Sequence, residues 1–207
     1  MSALIKGTKV TDGGTIEIKV TESGSLITID QKIVWTAKGY GFQAMATSAV
    51  AALVVRPSTV AMATIRNNSA NKLLVIDEAF AHNLVTTSAE GYGNIWLCSH
   101  PAGMDAVTNE ITVRNSTNGG TAGGSETSFD NGATVSDDGW FPWPDVAAQA
   151  EATGVLPGAC TLARVNGRII VPPTGGLSLQ VVSSVVGNTF CAGFRWYEIP
   201  TTELTNS

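Results

Sequence analysis

Residues branched at Cβ restrict the fold of this chain more than any other feature of its sequence. Threonine, valine and isoleucine supply 24, 20 and 13 residues, which together make 57 of the 207. Such side chains lose rotamer freedom in helices and pack well on the pleated surface of a sheet. The composition therefore predicts an all-β protein, and a chain of this length can bury a substantial core.

Polar and apolar residues alternate with a period of two in several segments that are bounded by turn residues. Residues 15–20 show this pattern after the turn sequence Asp12-Gly13-Gly14. A helical pattern is found only at 144–153. Further strands are predicted at 25–29, 32–37, 53–66 with a bend at Pro57, 72–85, 94–100, 110–115, 160–165, 168–172, 177–186 and 189–199.

Two short sequences predict tight turns near the end of the chain. Asn166-Gly167 is the strongest hairpin signal, because both residues accept the positive φ of a two-residue turn. Gly187-Asn188 predicts a second turn of this kind between the last two strands.

The strand count without alternating helices predicts an all-β, antiparallel β-sandwich that is jelly-roll-like and carries an N-terminal hairpin or arm segment. We expect three regions: an N-terminal strand or arm segment at 1–45, the jelly-roll sandwich at 46–200 and a C-terminal tail at 201–207. The pattern leaves open whether 1–45 pairs with the sandwich or extends from it.

Charged residues make up only 14% of the chain, against about 25% in ordinary soluble domains. The 12 lysines and arginines form no basic stripe, so nucleic acid is not an expected partner. The uncharged stretches 39–55 and 169–194 contain polar, proline or glycine residues, so no membrane partner is expected either. A surface so poor in charge is covered by threonine, serine, asparagine and glycine, or by other subunits.

No motif in the sequence predicts catalysis, a cofactor or a metal site. His82 and His100 have no second ligand at metal-binding spacing and are expected to be hydrogen-bonded strand or loop residues. Cys98, Cys160 and Cys191 form no CxxC pair, and we interpret them as small buried hydrophobic residues within strands.

Two acidic residues, Asp77 and Glu78, lie inside an apolar segment. Acid–base catalysis would need a second carboxylate opposite one of them, and the sequence identifies none. We therefore expect an exposed strand end, or an ion pair with Arg66 or Lys72.

Aromatic residues supply the candidate contact residues. Trp140, Phe141 and Trp143 alternate with prolines, which gives a rigid apolar segment suited either to plug one end of the sandwich or to form a subunit interface. In the last strand, Phe190, Ala192, Phe194 and Trp196 share one face, which should be core. Arg195 and Tyr197 lie on the opposite face and are candidate protomer contacts.

Five blocks of the sequence resemble small structural proteins from the virions of tailed bacteriophages, of the jelly-roll decoration or cement class. The resemblance covers roughly residues 50–200. The blocks are LLVIDEAFAHNLV (73–85), GNIWLCSHPAGM (93–104), DDGWFPWP (137–144), NGRIIVPPTGG (166–176) and GNTFCAGFRWYEIP (187–200).

This resemblance implies a protein without enzymatic activity that binds the outer capsid surface and clamps neighbouring major capsid subunits. It implies association with itself as a homotrimer, the major capsid protein as partner, the capsid exterior as location and the host cytoplasm during assembly. The alternative is a receptor-binding or fibre-associated lectin-like domain of a phage tail, in which Trp140, Trp143 or Tyr92 would stack on carbohydrate.

Overall fold

The computed structural model describes residues 5–8, 15–18, 30–85, 91–101, 104, 107, 111–120, 124–131, 135, 139–143, 145, 148–150 and 160–204. Strands dominate these ranges, and the two helices are short. The elements are β1 (Ile5–Thr8), β2 (Thr15–Ile18), α1 (Gln31–Ala37), β3 (Gly41–Met45), β4 (Val50–Ala51), β5 (Ala63–Asn67), β6 (Lys72–Val85), β7 (Gly91–His100), β8 (Arg114–Asn115), β9 (Thr127–Asn131), β10 (Phe141–Pro142), β11 (Ala148–Ala150), β12 (Cys160–Arg164), β13 (Ile170–Val171), β14 (Gly176–Ser183), β15 (Thr189–Pro200) and α2 (Thr201–Leu204).

Two antiparallel sheets pack face to face and form the predicted all-β sandwich. The first sheet has the strand order β10-β7-β14-β5-β9, with β11 also paired to β7. The second has the order β12-β6-β15-β3-β8, with β13 paired to β6 and β4 paired to β15.

The strands pair in nested fashion, from the two ends of the sandwich sequence towards its middle. The first long strand, β3, pairs with the last, β15, and β5 pairs with β14. Inside these, β6 pairs with β12, and β7 pairs with β10 and β11. Successive pairs alternate between the two sheets. This arrangement is a long antiparallel hairpin wrapped into two sheets, which is the jelly roll that the sequence predicts.

The core lies between the two sheets and is filled by alternate residues of each strand. On β15, Phe190, Phe194 and Trp196 are fully buried, as the sequence pattern predicts for this face. Phe129 of the first sheet meets Phe194 of the second edge to face, with ring centroids 6.2 Å apart. Aromatic side chains therefore join the two layers directly.

Two segments have a different type of secondary structure from the one predicted. Residues 32–37, expected as a strand, form helix α1, because the Asp30 carboxylate accepts a hydrogen bond from the Lys32 backbone N–H and caps the first turn. Within the expected helix at 144–153, Ala148–Ala150 forms strand β11, which pairs with the edge of β7. The predicted strand at 25–29 lies outside the described residues.

The turn at Asn166-Gly167 is present, but it does not make the predicted hairpin. Both residues have positive φ, and Arg168 N–H donates to the Val165 carbonyl across the turn. The flanking strands β12 and β13 do not pair with each other but follow one another along the same edge of β6. Likewise, the turn at Gly187 joins β14 and β15 across the two sheets, and not within one.

The N-terminal strands form a separate two-stranded sheet. Among the strands described, β1 pairs with β2 alone, with Ile5 opposite Ile18 and Gly7 opposite Ile16. Strand β3 lies within the expected N-terminal segment 1–45, yet it is part of the second sheet of the sandwich. Helix α2 begins the expected tail 201–207 and is held to α1 by an ion pair between Glu203 and Lys38.

Removing the aromatic ring at the junction of the two sheets should destabilise the whole sandwich. We expect Phe194→Ala to lower the free energy of unfolding by about 3–5 kcal/mol, because a large cavity opens between fully packed layers. Chemical denaturation monitored by tryptophan fluorescence measures the change. Val186→Ala, at an exposed turn position, is the control and should change stability by less than about 0.5 kcal/mol. Equal losses for the two variants would contradict this account of the core.

Candidate interaction surfaces

The aromatic segment at 140–143 contributes its first tryptophan to the interior. Trp140 is 3% exposed and packs with Ala61, Cys98 and Val135 on the outer side of the first sheet. Trp96 and Met104 border this cluster. Trp140 is therefore buried within the chain, but on the outer side of a sheet and not at the end of the sandwich where a plug was predicted.

The next two aromatic residues are more accessible than Trp140. Phe141 is 37% exposed on the short edge strand β10. Trp143 is half-buried against the main core, and the Arg168 guanidinium lies 4.7 Å from its ring centroid. The Trp143 indole N–H donates to Asp145 Oδ2 at 3.3 Å. Phe141 is thus the residue of this segment most available to a partner, while Trp143 already has partners within the chain.

Arg195 and Tyr197 lie on the outer face of the second sheet, as predicted. Arg195 Nη1 is 2.6 Å from Glu78 Oε2, and the guanidinium lies over the Phe80 ring. The Tyr197 ring packs against Trp35 of α1, with centroids 5.4 Å apart. Both candidate contact residues therefore make contacts inside the chain, and Arg195 remains exposed.

A groove of about 360 Å³ separates α1 from the outer face of the second sheet. Its apolar wall includes Trp35, Val75 and Tyr197, and Ile170 and Leu204 lie at its rim. Its polar side is a hydrogen-bonded group in which Lys32 Nζ lies 2.5 Å from Asp77 Oδ1 and 2.9 Å from Asn166 Oδ1.

The ion pairs of Asp77 and Glu78 differ from those expected. Neither residue lies at a strand end, because β6 continues to Val85. Asp77 pairs with Lys32 and Glu78 pairs with Arg195, so the expected partners Arg66 and Lys72 are wrong. The actual partners come from α1 and β15, which only the tertiary structure brings beside β6.

Glu198 is a buried carboxylate that sequence reasoning did not single out. It is 1% exposed and accepts hydrogen bonds from Ser125 Oγ at 2.6 Å and Thr127 Oγ1 at 2.8 Å. Lys72 Nζ lies 3.6 Å from Glu198 and 2.7 Å from Glu126. These bonds fasten the segment before β9 to the last strand. The only signal in the sequence is an acidic residue at a core-facing position of an alternating strand.

His100 also lies in a buried polar group, and this confirms the expectation that it is hydrogen-bonded. Its Nε2 is 2.9 Å from Ser178 Oγ, and the same hydroxyl lies 3.2 Å from Thr64 Oγ1. Ser178 and Thr64 are fully buried on the outer side of the first sheet. A hydroxyl enclosed in this way serves packing and is not available to a substrate.

The three cysteines are not joined in disulfides, and all three lie in strands, as expected. Cys98 and Cys191 are buried, while Cys160 is only half-buried. Cys160 and Cys191 both lie opposite His82 in the register of the second sheet. Burial raises the pKa of both thiols, which disfavours the thiolate that metal binding or nucleophilic attack requires.

Within the described ranges, no group of three or more His, Cys, Asp or Glu residues is placed to hold a metal ion. None of the helices in those ranges is both long and apolar enough to cross a membrane. No protein-family model, curated protein or solved structure matches this chain.

The burial of Trp140 gives a prediction with an internal control. We expect Trp140→Ala to destabilise the protein by about 3–5 kcal/mol, because the cluster on the outer side of the first sheet loses its largest side chain. Trp140→Phe should cost much less, because the indole N–H is buried without a hydrogen-bond partner among the described residues. Thermal unfolding followed by circular dichroism compares the two variants. Similar losses for both would show that this N–H has a partner.

Proposed function

We propose that this protein is a non-enzymatic virion structural protein, a decoration or cement protein that binds the outer surface of a tailed-bacteriophage capsid and clamps neighbouring major capsid subunits. The observation that carries the proposal is the division into a complete sandwich and a separate N-terminal hairpin. The strand pairs of the jelly roll are all formed without β1 and β2. A hairpin that pairs with neither sheet of the sandwich is suited to reach a neighbouring subunit.

The distribution of charge supports a role in surface contact. The groove charges of Lys32 and Asp77 neutralise one another, and so do Arg195 and Glu78 on the outer face of the second sheet. Apolar side chains stand exposed nearby, including Met45 and Ile170. Surfaces with internally paired charges and exposed apolar groups favour protein–protein contact, and a homotrimer would cover part of this area.

Residues 116–138 are a second candidate for the capsid contact, because glycine pairs at 119–120 and 123–124 predict a long loop there. The N-terminal hairpin is the better candidate. Part of that interval is strand β9, which pairs with β5 inside the first sheet. The residues just before β9 are tied to Glu198 and Lys72. These contacts commit residues 125–131 of the interval to the sandwich.

The lectin-like alternative loses one of its proposed stacking residues. Trp140 is buried, and Arg168 lies against the ring of Trp143. Tyr92 is 58% exposed and remains accessible. A carbohydrate site centred on the 140–143 segment would thus need Trp140 to leave its cluster.

Cryo-electron microscopy of virions that carry this protein tests the location. We expect density for the sandwich on the capsid exterior, at positions that bridge neighbouring major capsid subunits. Density confined to the tail would overturn the proposal and favour a receptor-binding role.

Deletion of residues 1–29 tests the assigned contact, because the truncated chain keeps Asp30, the cap of α1. We expect the truncated protein to retain the unfolding transition of the sandwich and to lose at least tenfold in affinity for undecorated capsids in a sedimentation assay. Val186→Ala in the full chain, at an exposed turn, is the matched variant and should bind as the wild type does. Undiminished binding by the truncated chain would refute the role of the hairpin.

A further inference from the structure

Three reactive groups from distant parts of the chain meet at the polar side of the groove beside α1. Lys32 Nζ lies 2.5 Å from Asp77 Oδ1 and 2.9 Å from Asn166 Oδ1. Lys32 belongs to α1, Asp77 to the middle of β6 and Asn166 to the turn between β12 and β13. An amine, a carboxamide and a carboxylate within hydrogen-bond distance are the groups needed to exchange one amide nitrogen for another.

We propose that this site forms an isopeptide bond between Lys32 Nζ and Asn166 Cγ, with Asp77 as the catalytic proton carrier. Asp77 takes a proton from the Lys32 ammonium, and the free amine attacks Asn166 Cγ. In the tetrahedral intermediate Asp77 returns this proton to the original amide nitrogen, which leaves as ammonia. The attacking nitrogen loses a second proton, and the ammonia takes it up to become ammonium. One C–N bond forms and one breaks, ammonium leaves, Asp77 ends as a carboxylate, and no oxidant or other reactant is consumed.

The position of the carboxylate suits it to this role. The Asp77 side chain is only 18% exposed, whereas that of Lys32 is 38% exposed. The apolar wall of Trp35, Val75 and Tyr197 limits the water that would compete with the amine. Because Lys32 donates to the Asn166 carbonyl oxygen, it lies beside the carbon it would attack.

Loss of a proton from the Lys32 ammonium limits the rate of this reaction. The hydrogen bond from Lys32 to Asp77 raises the pKa of the amine, with Asp77, Tyr197 and Asp30 adding favourable charge interactions. The cation is therefore the resting form near neutral pH, and only the small neutral fraction attacks. Bond formation should be slow at neutral pH and faster in alkaline buffer.

The turn also restrains the main competing reaction of an Asn-Gly sequence, in which the backbone nitrogen of the glycine attacks the asparagine side chain. Gly167 N–H donates to the Ile76 carbonyl at 2.7 Å, and Asn166 N–H donates to the Asp77 carbonyl at 2.8 Å. These bonds hold the backbone against β6, while the side chain points to Lys32. The geometry thus favours the lysine amine as the attacking group.

An isopeptide bond here would tie α1, which follows the N-terminal hairpin, to the body of the sandwich. It would join residues 134 positions apart in sequence. Links that close such long loops remove much of the entropy of the unfolded chain. The inference concerns chemistry within one chain and does not depend on the proposed capsid function.

Intact-protein mass spectrometry of the purified full-length chain, after incubation at pH 7 and pH 9, tests the proposal. We expect a species lighter than the calculated mass by one ammonia molecule, which accumulates faster at pH 9. Tandem mass spectrometry of a tryptic digest should find the peptide with Lys32 joined to the peptide with Asn166. A full calculated mass at both pH values, or a gain that matches hydrolysis of the Asn166 amide, would overturn the proposal.

Three variants distinguish formation of this isopeptide bond from other reactions that release ammonia. Lys32→Arg keeps the positive charge beside Asp77, Asn166→Gly keeps a residue that accepts positive φ, and Asp77→Asn removes the proton carrier. We expect Lys32→Arg and Asn166→Gly to keep their full mass, and Asp77→Asn to slow bond formation at least a hundredfold. Because Asn118-Gly119 and Asn131-Gly132 can also release ammonia, the loss is assigned by tandem mass spectrometry of the digest. Loss of ammonia at Asn166 that persists in Lys32→Arg would assign the reaction to the backbone of Gly167 and refute the proposal. The linked peptide in the wild-type digest needs no variant, so misfolding of a variant would not obscure the result.

Discussion

The pairing of β6 with β15 is the interaction on which the rest of the structure depends. It joins Lys72–Val85 to Thr189–Pro200 over the whole length of the last strand, with register shifts at two points. On its inner side it presents Phe194 and Trp196 to the core. On its outer side it places Asp77, Glu78 and Arg195 where α1 and the neighbouring strands can reach them. The core and the groove beside α1 thus lie on the two faces of one antiparallel ladder.

Much of the fold could be predicted from the sequence because alternation and turn chemistry are local signals. The long strands β6 and β15 and the inward face of Phe190, Ala192, Phe194 and Trp196 follow directly from a period of two. The Asn166-Gly167 turn follows from its preference for positive φ. Its flanking strands could not be assigned correctly, because their common partner β6 lies far away in sequence.

The predictions that failed concern features decided by tertiary contacts. Residues 32–37 have strand-forming side chains, yet a helix places Lys32 and Trp35 on one face, where one meets Asp77 and the other Tyr197. The Asp30 cap is a weak signal that becomes decisive only with these contacts. The same reason explains why Glu198 and the Lys32–Asp77–Asn166 group were missed. Each of these two groups brings together residues that lie far apart in the sequence and show no regular spacing.

The nested pairing of the jelly roll also fixes an order of events during synthesis. The residues of β3 are synthesised early, but their hydrogen-bonding neighbour β15 comes almost 150 residues later. The second sheet cannot close until β15 has left the ribosome, because β15 lies between β6 and β3. Contacts between such distant residues make folding slow. The chain therefore spends its synthesis with the apolar faces of its early strands uncovered, and these faces become the core only when the last strand is inserted.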